Sequence, residues 1–248
     1  MDRTWSRKRV AVVTGAGRGI GRAIAIALAG AGASVAVLDR DEEAGRATVS
    51  QIGADAQYFP VDMAKNEEIA RVTSAVVERF GGIDILVNNV GVLSTVPIAE
   101  ITEAEWKRVI DINLTSAVFA SQCAIPYMEK AQWGRIINIA SMAGRMGGVS
   151  TGVAYSVSKA ALLGLTMYLA RNLAAANITV NAVAPGPTKT ELFDGFTPAQ
   201  VKNFEDSIPL RRLGKPENVA DTVVFLASDA AEFMTGATVD VNGGLFMG

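Results

Sequence analysis

Short apolar runs of strand length alternate with segments of helical period along nearly the whole chain, and this alternation is the tightest limit on its fold. "RVAVVTG" (9–15), "SVAVLD" (34–39), "AQYFPVD" (56–62), "IDILVNN" (83–89), "GRIINIAS" (134–141), "ITVNAVAP" (178–185) and "ATVDVNGG" (237–244) read as strands. Between them, 21–32, 41–52, 66–80, 102–130, 153–175 and 216–228 read as helices. Strands of continuous Val, Ile, Leu and Ala, each followed by a helix, are buried on both faces. That is the pattern of a doubly wound α/β fold with a parallel sheet. A chain of 248 residues with this pattern reads as a single domain, 1–248. Its least regular stretch, about 186–215, is longer than a connection needs to be and reads as a lid segment.

Charge and ligand chemistry then exclude several functions. Net charge is −2 with no large basic block, so nucleic acid, whose affinity rests on clustered cations, is not an expected partner. Arg3, Arg7, Lys8 and Arg9 form one short basic run, read as a solvated tail. One cysteine and no histidine leave neither a disulfide framework nor the usual zinc ligand sets, so no metal is expected. The uncharged stretch from Ala23 to Leu38 is shorter than a membrane span and is broken by Gly30 and Gly32. No hydrophobic leader heads the chain, and a cytoplasmic location is expected.

"TGAGRGIG" (14–21) ends the first strand and opens the first helix. Gly15, Gly19 and Gly21 allow a tight turn and close approach of a pyrophosphate, and the free N–H groups of the following helix attract the anion. Arg18 and Ile20 belong to the same turn. Asp39, closing the second strand, is suited to an adenosine ribose diol and repels a 2′-phosphate, which favours NAD over NADP. Asp41 adds to that repulsion, while Arg18 and Arg40 pull the other way. Asp62, with the backbone of Met63, is read as an adenine contact, the other reading being an ordinary strand-end cap.

With no histidine, the proton carrier has to be something else. In "YSVSK", Tyr155 and Lys159 are i and i+4 on a helix and share one face. An ammonium about 4 Å from the phenol, at an effective dielectric near 20, is worth about 4 kcal/mol, or roughly three pK units, which brings a tyrosine into working range. Ser141 ends a strand at the edge where parallel sheets carry their chemistry. Asn113, in "DINLTSA", reads either as a structural amide bonding a kinked backbone or as a water site for proton exchange.

TGAGRGIG, Asp62, N-N-V-G (88–91), Asn113, Ser141, Y-S-V-S-K, P-G-P-T-K-T (185–190) and V-N-G-G follow one another in that order. The chain resembles the classical short-chain dehydrogenases/reductases over about residues 8–248. The resemblance implies a seven-stranded Rossmann-type sheet of order 3-2-1-4-5-6-7, a homotetramer, and roles for individual residues. Tyr155 is the general acid/base; Lys159 lowers its pKa and holds the nicotinamide ribose. Ser141 polarises a carbonyl, and Asn113 holds a relay water. Asn89 to Gly91 line the adenosine side. The segment with Pro185, Gly186, Thr188 and Thr190 holds the carboxamide, through one threonine or the other.

Thirteen residues separate Ser141 from Tyr155, about one more than is commonest in the family. The extra residue lies in a glycine-rich loop beside a pocket wall of Met142, Met146 and Val149. The implied reaction is hydride transfer between nicotinamide and a secondary alcohol or ketone. Within the family the pattern is nearest 3-oxoacyl-thioester reductases, which usually use NADPH. Gln132 and Ala176 stand where members acting on acyl-carrier protein present arginines, although Arg135 and Arg171 are near in sequence. A free ketone or alcohol is therefore the expected substrate, with an acyl-CoA next, and Leu192, Phe193 and Phe196 as apolar lid residues. A dinucleotide-binding redox sensor without turnover is the alternative from another class.

Overall fold

A computed structural model describes residues 5–148 and 151–248, with Leu192 given by its backbone only. The strands are β1 (Val10–Thr14), β2 (Ser34–Asp39), β3 (Ala56–Pro60), β4 (Ile85–Asn88), β5 (Gly134–Ile139), β6 (Ile178–Pro185) and β7 (Thr238–Val241). The helices are α1 (Gly19–Gly30), α2 (Glu42–Ile52), α3 (Asn66–Phe80), α4 (Glu103–Ile110), α5 (Ser116–Ala131), α6 (Met142–Met146), α7 (Val153–Leu173), α8 (Pro198–Ser207) and α9 (Pro216–Ala227). Among the described residues the seven strands form one parallel sheet, in the expected order β3-β2-β1-β4-β5-β6-β7.

The order reverses at β1, which pairs with β2 on one side and β4 on the other. Connections leave in opposite directions there, so a crevice opens beyond the carboxyl ends of β1 and β4. One face of the sheet packs on α1 and α9 through Ile24, Leu28, Val219 and Val223. The other packs on α3, α5 and α7 through Val72, Val76, Ala124 and Leu169. Burial on both faces is why the strands are apolar without alternation.

Two readings are corrected. The expected helix 102–130 is interrupted: α4 and α5 are joined by a π-helical turn over Asp111–Thr115 that contains Asn113. The basic run is also no solvated tail in its described part. Trp5 is buried with its indole N–H on the Ala227 carbonyl at 2.7 Å. Arg9 is buried with its guanidinium 3.5 Å from the Trp133 ring centre. Arg7 and Arg9 meet Asp84 at 2.5 and 3.2 Å. The cause is position: Arg9, Asp84 and Trp133 each adjoin the start of a neighbouring strand, so a charge partner and an aromatic face replace the water.

By length and composition, helices 103–131 and 153–176 are apolar enough to cross a membrane. Here each lays an apolar side against the sheet.

Candidate active site

The glycine turn is built by the end of β1 and braced by the end of β4. Asn89 donates from its side-chain amide to the carbonyls of Thr14 and Gly15 at 2.9 and 3.1 Å. Its backbone N–H donates to the Thr14 hydroxyl. Gly15 sits at φ +63° and Gly19 at φ +49°, the left-handed region that favours glycine. At Gly21 a Cβ would lie 2.0 Å from the Gly15 carbonyl oxygen, so only glycine lets α1 start this close to the turn. Arg18, the N-cap of α1, makes no side-chain capping bond. The first N–H groups of the helix therefore have no side-chain acceptor there, which suits an anion.

Asp39 accepts from the backbone N–H of Gly17 at 2.8 Å and of Asp41 at 3.0 Å, so it fastens the turn as well as facing the cleft. Asp41 caps α2 through the Ala44 N–H at 3.0 Å and pairs with Arg18; together these hold its carboxyl below the ordinary range. Asp62 accepts from Ala64 N–H at 3.1 Å, the strand-end cap, and faces the same cleft. Eleven of the expected cofactor residues (Gly15, Arg18, Gly19, Ile20, Gly21, Asp39, Asp62, Met63, Asn89, Gly91 and Thr190) line one cavity of about 440 Å³. Arg40, weighed with Arg18 as a phosphate contact, lines it too, as do Val92, Ile112 and Glu191, which were not anticipated as wall residues. Val92 and Ile112 carry no polar group that a motif could flag.

The chemistry end adjoins this cavity without lining it. Ser141, just past β5, caps α6 by accepting from Ala143 N–H at 3.1 Å and stands beside Tyr155, close enough for its hydroxyl to act on the phenol. Lys159 is buried, and its ammonium donates to the Ile139 carbonyl at 2.8 Å, 5.9 Å from the Tyr155 ring centre. Asn113 is buried: its amide oxygen accepts from Val92 N–H at 2.7 Å. Its amide nitrogen donates to the Val92 carbonyl at 3.1 Å and the Ser158 hydroxyl at 3.0 Å. Gly91 joins the two ends. A Cβ there would lie 3.1 Å from the Lys159 ammonium and 3.4 Å from the Asn113 oxygen, so both polar atoms pack against Gly91.

The electrostatics differ from expectation. Burial pushes the Tyr155 phenol above its ordinary value, opposed by the Ser141 hydrogen bond, and no downward pull from Lys159 outweighs this. Burial also lowers Lys159 to about 8. The same dry surroundings that bring the pair together disfavour both charges.

The segment after β6 separates the two threonines. Thr188 is buried, donates to the Gly186 carbonyl at 3.0 Å and bridges to Gly214; Thr190 lines the cavity. Pro185 and Gly186 lie outside the cavity wall; at Gly186 a Cβ would meet the Asn242 backbone at 2.8 Å. The irregular stretch 186–215 contains α8, started by a Thr197–Gln200 capping box with Pro198 inside, a signal readable in "TPAQ". Phe193, Phe196 and Phe204 pack on one another with centroids 5.1–5.6 Å apart. Met142 is half-buried and Met146 exposed, while Val149 lies outside the described residues.

A family model described as enoyl-(acyl carrier protein) reductase matches residues 15–246. A solved structure titled as a putative short-chain alcohol dehydrogenase from Sinorhizobium meliloti 1021 superposes with a TM-score of 0.92 at 40% identity, over 98% of each chain. The chain belongs to the short-chain dehydrogenase/reductase family. It is thereby an oxidoreductase of C=O and CH–OH groups, in a family that uses a nicotinamide cofactor.

Among curated members, 3-oxoacyl-[acyl-carrier-protein] reductase FabG of Vibrio cholerae is 38% identical over 96% of this chain and 98% of its own. The proteins of that name from Staphylococcus aureus Mu50 and Aquifex aeolicus VF5 are 41% and 38% identical, over 83% and 84% of this chain and 85% and 84% of theirs. Of the two arginines considered for meeting an acidic carrier, Arg135 is 1% exposed, with its guanidinium 4.2 Å from the Trp133 ring centre. It is unavailable at the surface; Arg171 is exposed.

Proposed function

We propose that this short-chain dehydrogenase/reductase interconverts a secondary alcohol and a ketone with NAD(H). The observation that carries the reading is Ser141 set beside Tyr155 beyond β5, close enough to act on its phenol, with the buried Lys159 ammonium behind them. Nicotinamide, when bound, supplies or accepts the hydride. The two hydroxyls hold the substrate oxygen; Ser141 polarises it and Tyr155 delivers or removes the proton. A phenol raised by burial stays protonated at neutral pH, the state that carbonyl reduction needs. Lys159 returns the proton to Tyr155 through a relay in which Asn113, packed with it against Gly91, holds the water. Thr190, which faces the cavity, is the threonine assigned to the carboxamide, with Pro185, Gly186 and Thr188 shaping that segment.

The preference for NAD rests on Asp39. Two of its acceptor sites hold the turn, and the remaining ones suit a ribose diol and repel a phosphate. Arg18, the cation within the turn, is already paired with Asp41, and Arg22 is engaged on the Gly17 carbonyl. The names of the curated relatives support a second reading, reduction of a 3-oxoacyl thioester with NADPH. The burial of Arg135 leaves Arg171 as the one exposed arginine of the two, which favours a CoA thioester or a free ketone over a carrier-protein partner. The same reading makes the chain a cytoplasmic homotetramer whose 186–215 segment closes over the substrate.

The test is consumption of NADH and NADPH with acetoacetyl-CoA, cyclohexanone and acetophenone. The expected outcome is turnover with NADH at least about tenfold more efficient than with NADPH, equivalent to ~1.4 kcal/mol. A preference for NADPH overturns the role given to Asp39. Tight cofactor binding with no turnover of any ketone favours the sensor reading.

A further inference from the structure

Ser141 begins α6, a helix of five residues, too short to be held by its own hydrogen bonds. It is held from two sides. On one, Gly144 lies against α7: a Cβ there would stand 2.5 Å from the Lys159 carbonyl carbon and 2.7 Å from the Ala160 nitrogen. That contact sets Ser141 against the helix carrying Tyr155 and Lys159. On the other, the Arg145 guanidinium donates to the Gly248 carbonyl at 3.0 Å, stands 3.5 Å from an Asp240 oxygen and lies 5.0 Å from the Phe246 ring centre.

Asp240 belongs to β7, and Phe246 and Gly248 to the folded turn that follows it. Asn242 is buried, donates to the Phe246 carbonyl at 3.0 Å and accepts from Gly244 N–H at 2.9 Å. The turn also carries the base of the lid segment: Leu210 N–H donates to the Gly243 carbonyl at 3.2 Å. The other Asp240 oxygen is buried without a hydrogen bond, so Arg145 is the cation that answers this carboxylate.

We propose that Arg145 is a positioning residue, strapping the Ser141 helix to the turn after β7 and thereby coupling the base of the lid to the placement of the Ser141 hydroxyl. The role rests on the reading of Ser141 and Tyr155 as the pair that holds the substrate oxygen. Arg145 itself touches neither of those hydroxyls; it acts through α6.

The experiment compares wild type with Arg145→Ala, Arg145→Lys, Arg145→Ala/Asp240→Asn and Tyr155→Phe. It reads kcat and KM with the fastest ketone of the panel, NADH affinity by fluorescence, and the pH profile of alcohol oxidation. Arg145→Ala is expected to lower kcat by about ten- to a hundredfold, the scale of an ångström of misplacement, with NADH affinity unchanged within about twofold. The oxidation limb should move to higher pH, because Tyr155 loses the hydrogen bond that lowers its pKa. Lysine should recover most of the rate, and the double variant should stay slow although its stranded carboxylate is gone. A kcat within about twofold of wild type in Arg145→Ala overturns the strap, as does recovery in the double variant or a loss that follows NADH affinity. Turnover retained by Tyr155→Phe overturns the reading of the site instead, and this role falls with it.

Discussion

Lys159 carries the clearest conflict between stability and function. Its ammonium is buried on one carbonyl, and desolvation lowers it from 10.5 to about 8. At 1.36 kcal/mol per unit, that shift is on the order of 3 kcal/mol of strain against the charged form. The sign follows from proton counting. Between about 8 and 10.5 the unfolded chain holds more protons at this residue than the folded one, so its contribution to stability rises with pH across that window. Lys159→Met should therefore be at least as stable as wild type at pH 7, although it leaves the Ile139 carbonyl without its donor, and should be inactive. Thermal melts from pH 7 to 9.5 should show the gap narrowing as wild type sheds its proton. Tyr155 and Cys123, both raised by burial, contribute stability that is lost as pH rises; they are common to both proteins and cancel. A wild type clearly more stable than the variant at pH 7, with a gap independent of pH, contradicts this account of Lys159.

At the scale of elements, the turn between β1 and α1 is fixed by backbone contact. Gly21→Ala sets a methyl 2.0 Å from the Gly15 carbonyl oxygen, a clash with backbone that no rotamer relieves. A loss of about 1–3 kcal/mol in urea unfolding is expected, with NADH affinity falling by at least about tenfold. An unchanged affinity would mean that the turn does not hold the dinucleotide.

Elements of this kind were the legible part of the sequence. Strand runs, the glycine spacing and Asp39 act through local backbone rules, so pattern and structure agree. What the pattern hid depends on tertiary partners. Arg9 and Arg135 look like surface cations until Trp133 and Asp84 arrive from distant parts of the chain. The kink at Asn113 is one of the two readings of that residue, but its partner, the Val92 backbone, comes from a loop that no helical periodicity announces. The downward pull expected on Tyr155 considered only its distance from an ammonium, whereas burial acts on both groups at once. Helix α8 was readable from its capping box and was missed because the segment around it is irregular.

Across the whole molecule, the sheet brings groups from distant sequence to one edge. The turn after β1, Asp39 at the end of β2, Asn89 after β4 and Ser141 after β5 all lie at carboxyl ends because the strands are parallel. The cavity, proposed for the dinucleotide, takes one end of that edge, and the Ser141–Tyr155–Lys159 cluster stands at the other, joined to it through Gly91. This division predicts that binding and chemistry can be separated by one atom. The direct measurement is single-turnover reduction of the fastest panel ketone by enzyme-bound NADH, for wild type and Tyr155→Phe, with NADH affinity taken on the same samples. The account predicts equal affinity within about twofold and a rate lowered by about 10²–10⁴ when the phenolic hydroxyl is gone. Equal affinity with an equal rate would contradict it, and the proton would then have to come from a group other than Tyr155.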